Sequence, residues 1–382
     1  MNKIYFDYNS STPLDKRVLK EMRVYLSDNF ANPSAIYSFA QKAKNAIEDA
    51  RISVAKLVSA KRREIVFTSG GTEANNLAIK GFCFANHSRG NHVITSKIEH
   101  SSVLSVFKLL EKKGFKVTYL NVDRDGVVDV SQLKESICKE TILVSVMHAN
   151  NEIGTIQPVE RIKAICERQG VCFHTDAVQS FGKIEVNSSF ADLITVSSHK
   201  IYGPKGAGAL YVKSGTNIEP LFNGGHQEEE LRPGTEAVAS IVGFGKAAAL
   251  RLSEMDEEGI KVKKMRDALE EGILKAIKGV KVNGHPQNRL YNTLNICIDA
   301  VEAQNLVINL DMKGIYASSG SACQAKIPEV SYVLLATGLS ERDCSGALRL
   351  SLGKCTKESD IRFFIKTLPE IVKNLRKAAS HG

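Results

Sequence analysis

The chain has 382 residues, of which 43% are hydrophobic and 24% are charged, a composition typical of a folded globular protein. This length is sufficient for two domains, each with a core of its own. The eight cysteines include no Cys-x-x-Cys pair, so zinc and iron–sulfur ligation are disfavoured and we expect no metal. The net charge of +9 comes from scattered basic residues without interleaved aromatic residues, so we expect no direct nucleic-acid binding.

The sequence predicts neither export nor insertion into a membrane. No apolar run approaches the length that a bilayer requires. The opening residues contain no apolar signal-peptide core and no cleavage site of small residues. We therefore expect a cytoplasmic location without membrane association, in which the cysteines are mostly free thiols.

Residues 64–213 alternate short β-rich runs with amphipathic helical patterns. The predicted strands are Glu64–Ser69, His92–Ser96, Lys116–Val122, Thr141–His148, Val171–Thr175, Leu193–Val196 and Ala209–Val212. Such alternation predicts an α/β domain with a mostly parallel seven-stranded sheet that helices cover on both faces. Ligands bind such sheets at the carboxyl ends of the strands, which is where we look for chemistry.

The pattern changes after residue 250 and predicts a smaller α+β domain. Its predicted elements are a helix at Arg251–Ile277, strands at Val280–Val282 and Thr293–Ile298, a helix at Glu302–Asp311, a strand at Ala347–Leu352 and a helix at Glu358–Lys377. We expect residues 14–250 to form the large domain. Residues 1–13 and 251–382 are expected to form the small domain, which would carry Cys323.

Two distant segments together indicate a specific chemistry. In Ser197–Lys200, a lysine follows two hydroxyls and a histidine just before a glycine-rich turn, and a lysine amine can hold a carbonyl cofactor as a Schiff base. Ser318–Cys323 consists of small residues that end in a thiol, and such a flank lets a thiol reach the cofactor and then an outside acceptor. This pairing favours thiol chemistry on a pyridoxal phosphate adduct.

Polar residues follow five of the predicted strands. They are Gly71 and Thr72, which suit a phosphate, then His100, Asn151, Asp176, whose carboxylate suits a protonated pyridine nitrogen, and Lys200. Each alone is weak, because a lone histidine is usually structural and an aspartate after a strand usually caps the next helix. Their convergence on five strand ends predicts one composite site.

These motifs resemble those of cysteine desulfurases of the NifS/IscS type, group I, in the class V aminotransferase family. The resemblance extends from Asp7 to Gly353, and its most specific parts are Met147–Gly154, His199 with Lys200, and Ser318–Cys323. It implies the fold-type I, aspartate aminotransferase-like architecture of pyridoxal phosphate enzymes.

The resemblance also implies a role for each matching residue. Lys200 would hold the cofactor and move protons, Asp176 would pair with the pyridine nitrogen, Gln179 would bond the ring hydroxyl, and His100 would stack on the ring and assist proton transfer. Gly71, Thr72, Ser197 and His199 would hold the phosphate, while Asn151 would line the ring and help to bind substrate. Arg349 would bind the substrate carboxylate as a bidentate fork, which lysine cannot reproduce. Cys323 would take sulfur from L-cysteine as a persulfide, releasing alanine.

The same resemblance implies partners. Thr235 would complete the phosphate site of a second subunit, so a homodimer is expected. A sulfur-acceptor protein is also expected, either an iron–sulfur scaffold or a relay for tRNA thiolation. Longer relatives dock that scaffold through a C-terminal extension, whereas this sequence ends at Gly382, which leaves the acceptor open.

Two residues depart from the family pattern, and two other functions stay open. Tyr37 stands where a histidine is frequent and Ala40 where a glycine is usual, which affects contacts near the entrance. One alternative is another pyridoxal phosphate lyase or transaminase of the same fold, such as a selenocysteine lyase-like enzyme, in which Cys323 is incidental. The other is a sulfur-assembly platform without catalysis.

Overall fold

A computed structural model of the chain describes residues 3–319 and 330–379. The strands in these ranges are β1 (Ile4–Tyr5), β2 (Ile65–Thr68), β3 (His92–Ser96), β4 (Lys116–Leu120), β5 (Thr141–Ser145), β6 (Cys172–Asp176), β7 (Leu193–Ser197), β8 (Gly208–Val212), β9 (Val280–Asn283), β10 (Thr293–Ile298), β11 (Ile315–Tyr316) and β12 (Ala347–Ser351).

The helices in the same ranges are α1 (Lys16–Ser27), α2 (Ser38–Leu57), α3 (Gly71–Asn76), α4 (Phe82–Ala85), α5 (Ser101–Lys112), α6 (Val130–Ser136), α7 (Val159–Arg168), α8 (Val238–Ala276), α9 (Ala303–Asp311), α10 (Tyr332–Ala336), α11 (Glu341–Ser345) and α12 (Glu358–Ala379). A π-helical segment, Leu77–Gly81, joins α3 to α4. No helix in the described ranges is long and apolar enough to cross a membrane.

Seven strands form the large sheet, in the order β2-β8-β7-β6-β5-β3-β4. All neighbours are parallel except β8, which runs antiparallel to both β2 and β7. Strands β5 and β7 are buried along their whole length, as expected for a parallel sheet with helices on both faces. The predicted mostly parallel seven-stranded sheet is therefore confirmed.

Helix α8 differs from the prediction, because it begins at Val238 rather than at Arg251. Its first half is rich in alanine and glycine, and Phe244 packs there in the core beside the large sheet with Phe67 and Phe181. The close approach of α2 explains this composition, since a Cβ on Gly245 would lie 2.4 Å from the Cα of Ala50.

The second half of α8 belongs to a different core. Leu269 is buried there together with Phe6 and Phe364, beside the antiparallel sheet β12-β10-β9. The N-terminal arm joins this region, where β1 pairs in parallel with β11. One helix thus contributes to both cores, and the division of the chain at residues 250 and 251 stays a prediction.

The topology decides where chemistry can occur. Strands β2, β3, β5, β6 and β7 run in the same direction, so their carboxyl ends meet along one edge of the large sheet. We call this edge the rim. Each of the five polar strand ends predicted from the sequence lies on it.

Candidate active site

A cavity of about 250 Å³ opens at the rim. Its walls contain all the predicted site residues that follow the five strands: Gly71, Thr72, His100, Asn151, Asp176, Gln179, Ser197, His199 and Lys200. The structure thus brings these side chains together in one place. Their individual roles stay predictions.

Lys200 lies in a single turn of 3₁₀-helix directly after β7. Its Nζ atom donates to the backbone oxygens of Asn9 and Ser10, at 2.5 and 2.7 Å. Two residues later, Tyr202 adopts a positive φ of 66°, and its N–H donates to the Thr12 hydroxyl at 2.8 Å. A non-glycine residue in this region is costly, so contacts with the N-terminal arm fix the turn that presents the lysine.

The carboxylate of Asp176 is fixed at the end of β6. Its Oδ1 atom accepts the N–H of Val178 at 3.0 Å, and its Oδ2 atom accepts the Asn75 amide at 2.7 Å. The same amide donates to the hydroxyl of Ser102 at 2.8 Å. These bonds hold the carboxylate in one orientation on the cavity wall.

His100 precedes α5 and caps it. Its Nδ1 atom accepts the backbone N–H of Ser102 at 3.2 Å and lies 2.8 Å from the Ser102 hydroxyl. Because a backbone N–H can only donate, the neutral imidazole carries its proton on Nε2. Burial lowers the pKa of His100, while Asp176 acts in the opposite direction and Lys200 lowers the pKa further. The ring is therefore neutral near pH 7.

The predicted phosphate residues surround the start of α3. A Cβ on Gly71 would lie 2.8 Å from Val178 Cγ2, so only glycine leaves this wall open. The Ser197 hydroxyl is buried without a hydrogen-bond partner among the described residues. Burial and the nearby Lys200 lower the pKa of His199 to about 4.

Asn151 and Gln179 complete the wall. The Oδ1 atom of Asn151 is buried and has no partner in the described ranges, while the Gln179 amide donates to the Asn9 oxygen at 2.9 Å. Buried polar atoms without partners are rare in folded proteins. The unpartnered atoms of Ser197 and Asn151 therefore fit a polar ligand such as pyridoxal phosphate.

Arg349 does not line the cavity. Its side chain is 3% exposed, and it donates to Asp7 Oδ1 at 2.7 Å and to the Asn151 oxygen at 3.2 Å. Its Nε atom is buried without a partner among the described residues. The guanidinium thus lies behind Asn151.

Thr235 is exposed in the segment before α8 and is not part of this chain's cavity.

Cys323 lies outside the described residues. On its N-terminal side, Ser318 pairs with Arg349 through two backbone hydrogen bonds. On its C-terminal side, Ser331 donates to Glu152 Oε2 at 2.6 Å. The described ends of the predicted cysteine segment are thus anchored beside Asn151.

Sequence reasoning missed several supporting residues, namely Asn9, Ser10, Asn75, Ser102 and Lys183. Asn75 was detectable as the first of two asparagines after the glycine-threonine pair, but its partner Asp176 is 101 residues away. The backbone oxygens of Asn9 and Ser10 carry no sequence signal, because every residue has one.

Comparisons with known proteins extend over the whole fold. A profile of the aminotransferase class-V family matches residues 4–364. A Clostridium botulinum protein called cysteine desulfurase IscS is 48% identical over 382 residues, which cover 99% of this chain and 96% of that protein. A protein of the same name from Dictyoglomus turgidum is 46% identical over 376 residues, or 98% of this chain and 95% of that one.

Solved structures agree. One described as a NIFS-like protein has a TM-score of 0.92 and 36% identity, covering 98% of this chain and 100% of that chain. Another, described as SspA in complex with cysteine, has a TM-score of 0.83 and 39% identity, covering 92% and 99%.

Proposed function

Since the chain belongs to the aminotransferase class-V family, and its similar relatives over nearly the whole length are cysteine desulfurases, we propose that it is a pyridoxal phosphate-dependent cysteine desulfurase. The observation that carries the proposal is the cavity at the rim. It places the amine of Lys200 and the carboxylate of Asp176 on the walls of one space that also contains unpartnered polar atoms.

The residues of the cavity suit the parts of this cofactor. Lys200 would bind its aldehyde carbon, and the carboxylate of Asp176 would keep its pyridine nitrogen protonated. Gly71, Thr72, Ser197 and His199 would receive the phosphate, while the Gln179 amide would donate to the ring hydroxyl. When bound, the cofactor withdraws electrons from the α-carbon of an attached amino acid.

Proton transfer falls to two neighbouring residues. Lys200 is held by two backbone oxygens, which orient its amine towards the cavity wall. His100 is neutral and keeps its proton on Nε2, so it can donate a hydrogen bond into the cavity and would assist the proton transfer by Lys200. General acid–base catalysis first needs groups within reach of the proton that moves, and both side chains lie on the wall of the same cavity.

The substrate is L-cysteine, in agreement with the similar structure described as a complex with cysteine. Arg349 would bind the substrate carboxylate after giving up or sharing its contact with Asp7. The thiolate of Cys323 would attack the substrate sulfur, so that a sulfur–sulfur bond forms and the carbon–sulfur bond breaks. The products would be alanine and a persulfide on Cys323.

We assign the persulfide sulfur to an acceptor protein in iron–sulfur cluster assembly or tRNA thiolation. We also propose a homodimer in which Thr235 of each subunit reaches the other's phosphate site. Support comes from its exposed position, away from the cavity of its own chain. A cytoplasmic location agrees with the free state of all described cysteines.

Replacement of Cys323 tests the proposal. We expect Cys323→Ala to lose persulfide and alanine formation from L-cysteine while it still binds pyridoxal phosphate. Cys138→Ala and Cys355→Ala, which change two exposed cysteines, serve as matched controls and should keep the activity. Undiminished alanine and persulfide formation in Cys323→Ala would mean a different enzyme of the same fold.

A further inference from the structure

Lys183 is a buried lysine that the proposed reaction does not use. It lies seven residues after the end of β6 and is 9% exposed. Its Nζ atom donates to Gln179 Oε1 at 3.1 Å, and it forms no ion pair with any described residue. A buried cation without a carboxylate partner is costly, so its position calls for an explanation.

The contact with Lys183 determines the orientation of the Gln179 amide. The charged form of Lys183 can only donate hydrogen bonds, so it turns the oxygen of the amide towards itself. The Gln179 nitrogen then donates to the Asn9 oxygen at 2.9 Å, the same oxygen that accepts from Lys200. One of the two amide hydrogens is used in this way. The other remains for the cavity, whose wall Gln179 forms.

The charges around Lys183 favour an anionic ligand in the cavity. The groups that face it are Lys200 after β7, Arg251 and Glu258 on α8, and Arg349 on β12. Burial and then Lys200 lower its pKa to about 7, with Glu258 acting in the opposite direction. An anionic ligand would favour the charged form, because opposite charges stabilise each other at low dielectric.

We propose that Lys183 is a positioning residue that locks Gln179 as a hydrogen-bond donor into the cavity, selecting the ionised ring oxygen of the cofactor. This inference rests on the proposed function, since it takes pyridoxal phosphate as the ligand. It assigns to Lys183 no contact with the cofactor. Without Lys183, only the Asn9 oxygen holds the amide, so the turned orientation, which presents the amide oxygen to the ring oxygen, becomes more populated and weakens binding.

A double-mutant cycle tests this assignment with pyridoxamine phosphate, which does not react with Lys200. We expect Lys183→Met to weaken its Kd about tenfold or more, because a hydrogen bond involving a charged group contributes that much. In a Gln179→Leu background, the Lys183→Met change should alter Kd by less than about twofold. The reason is that Lys183 acts through the Gln179 amide, and the effects of two coupled residues do not add. Lys108→Met, on the exposed face of α5, is the control and should bind as the wild type does.

Two further readouts separate positioning from a structural role. Lys183→Arg keeps the donor and the charge, so it should restore Kd to within about threefold of the wild type. In Lys183→Met loaded with pyridoxal phosphate, the absorbance change of the bound cofactor should occur at higher pH, because the lost cation favoured deprotonation. If the methionine variant does not fold, Lys183→Leu, which also cannot donate a hydrogen bond, replaces it and the same outcomes decide.

Wild-type Kd in Lys183→Met, or equal effects in the presence and absence of Gln179, would overturn the inference. Failure of the wild-type protein to bind pyridoxamine phosphate would instead contradict the proposed function. The two failures are therefore distinguishable.

Discussion

Charged side chains are buried both at the rim and at the β2 edge, which is the lateral edge of the large sheet formed by strand β2. The charges are paired at the β2 edge but only partly matched at the rim. At the edge, Arg51 and Glu228 form a bidentate pair at 2.6 and 2.8 Å. The same two side chains also form hydrogen bonds with outward-facing backbone groups of β2. Arg51 donates to the oxygen of Ile65, and Glu228 accepts the N–H of Phe67, both at 2.8 Å. The outward oxygen of Ile65 and N–H of Phe67 therefore both have partners, which closes the edge strand to pairing with another strand.

At the rim, charges and polar atoms are left partly unmatched. Among the described residues, the Nζ atom of Lys183 has only an amide oxygen as acceptor. Ser197 and Asn151 have buried atoms without partners in the described ranges. The unpartnered atoms of Ser197 and Asn151 thus differ from the paired Arg51 and Glu228 in that a ligand in the cavity could supply their partners.

The edge yields the largest expected effect. Arg51→Met should lower the free energy of unfolding by about 3–5 kcal/mol, since it leaves Glu228 buried without its cation. Urea denaturation with saturating cofactor measures this loss. Arg62→Met, which changes an arginine with a 65% exposed side chain, should cost less than about 1 kcal/mol. Equal losses in the two variants would show that the pair at the edge is not structural.

The rim should respond in catalysis instead. Asp176→Asn keeps the shape of the side chain but removes the charge opposite the pyridine nitrogen, so we expect kcat for alanine formation to fall about 100-fold. The free energy of unfolding should fall by only about 1–3 kcal/mol, because the asparagine NH2 group opposes one of the two N–H donors while the other bond is kept. Steady-state kinetics and urea denaturation on the same preparation check both results. A loss of stability without a loss of kcat would reverse the contrast between the two regions.

We expect the smallest effect from replacement of Glu99, which should change only how the free energy of unfolding depends on pH. Burial raises its pKa to about 8, partly opposed by the Ser96 hydroxyl and the Met147 N–H. Because the folded state keeps a proton that the unfolded chain releases above pH 4.5, the free energy of unfolding should fall as pH rises from about 5 to 8.

The variant Glu99→Gln cannot titrate, so this decline should be smaller by about 1 kcal/mol or more. Urea denaturation at pH 5.5 and pH 8 measures it, with Glu111→Gln on the exposed side of α5 as the control. Identical declines in Glu99→Gln and the wild type would show that Glu99 is ionised in the folded protein at pH 5.5.

The sequence is informative where burial and strand direction leave a regular pattern. The strands His92–Ser96 and Thr293–Ile298 were predicted with their observed bounds, since β-branched and apolar residues predominate in both. The run from Thr141 to His148 was predicted too long, because the chain leaves the sheet after Ser145 although it stays buried. Burial alone does not reveal where pairing ends.

The cavity was predictable in part for a related reason. Lys200 and Asp176 follow strands, and parallel strands bring their ends together, so pattern and topology suffice to expect them in one site. The supporting contacts depend on tertiary structure. Lys183 resembles any charged residue after a turn, and only the folded chain shows that it is buried against Gln179.

The most direct test of the central claim is borohydride reduction of the purified, cofactor-loaded protein, followed by peptide mass spectrometry. The account predicts one pyridoxyl group per chain, attached to Lys200 and absent from Lys200→Ala. A protein without this adduct, or with the adduct on Lys183 or another lysine, would contradict it.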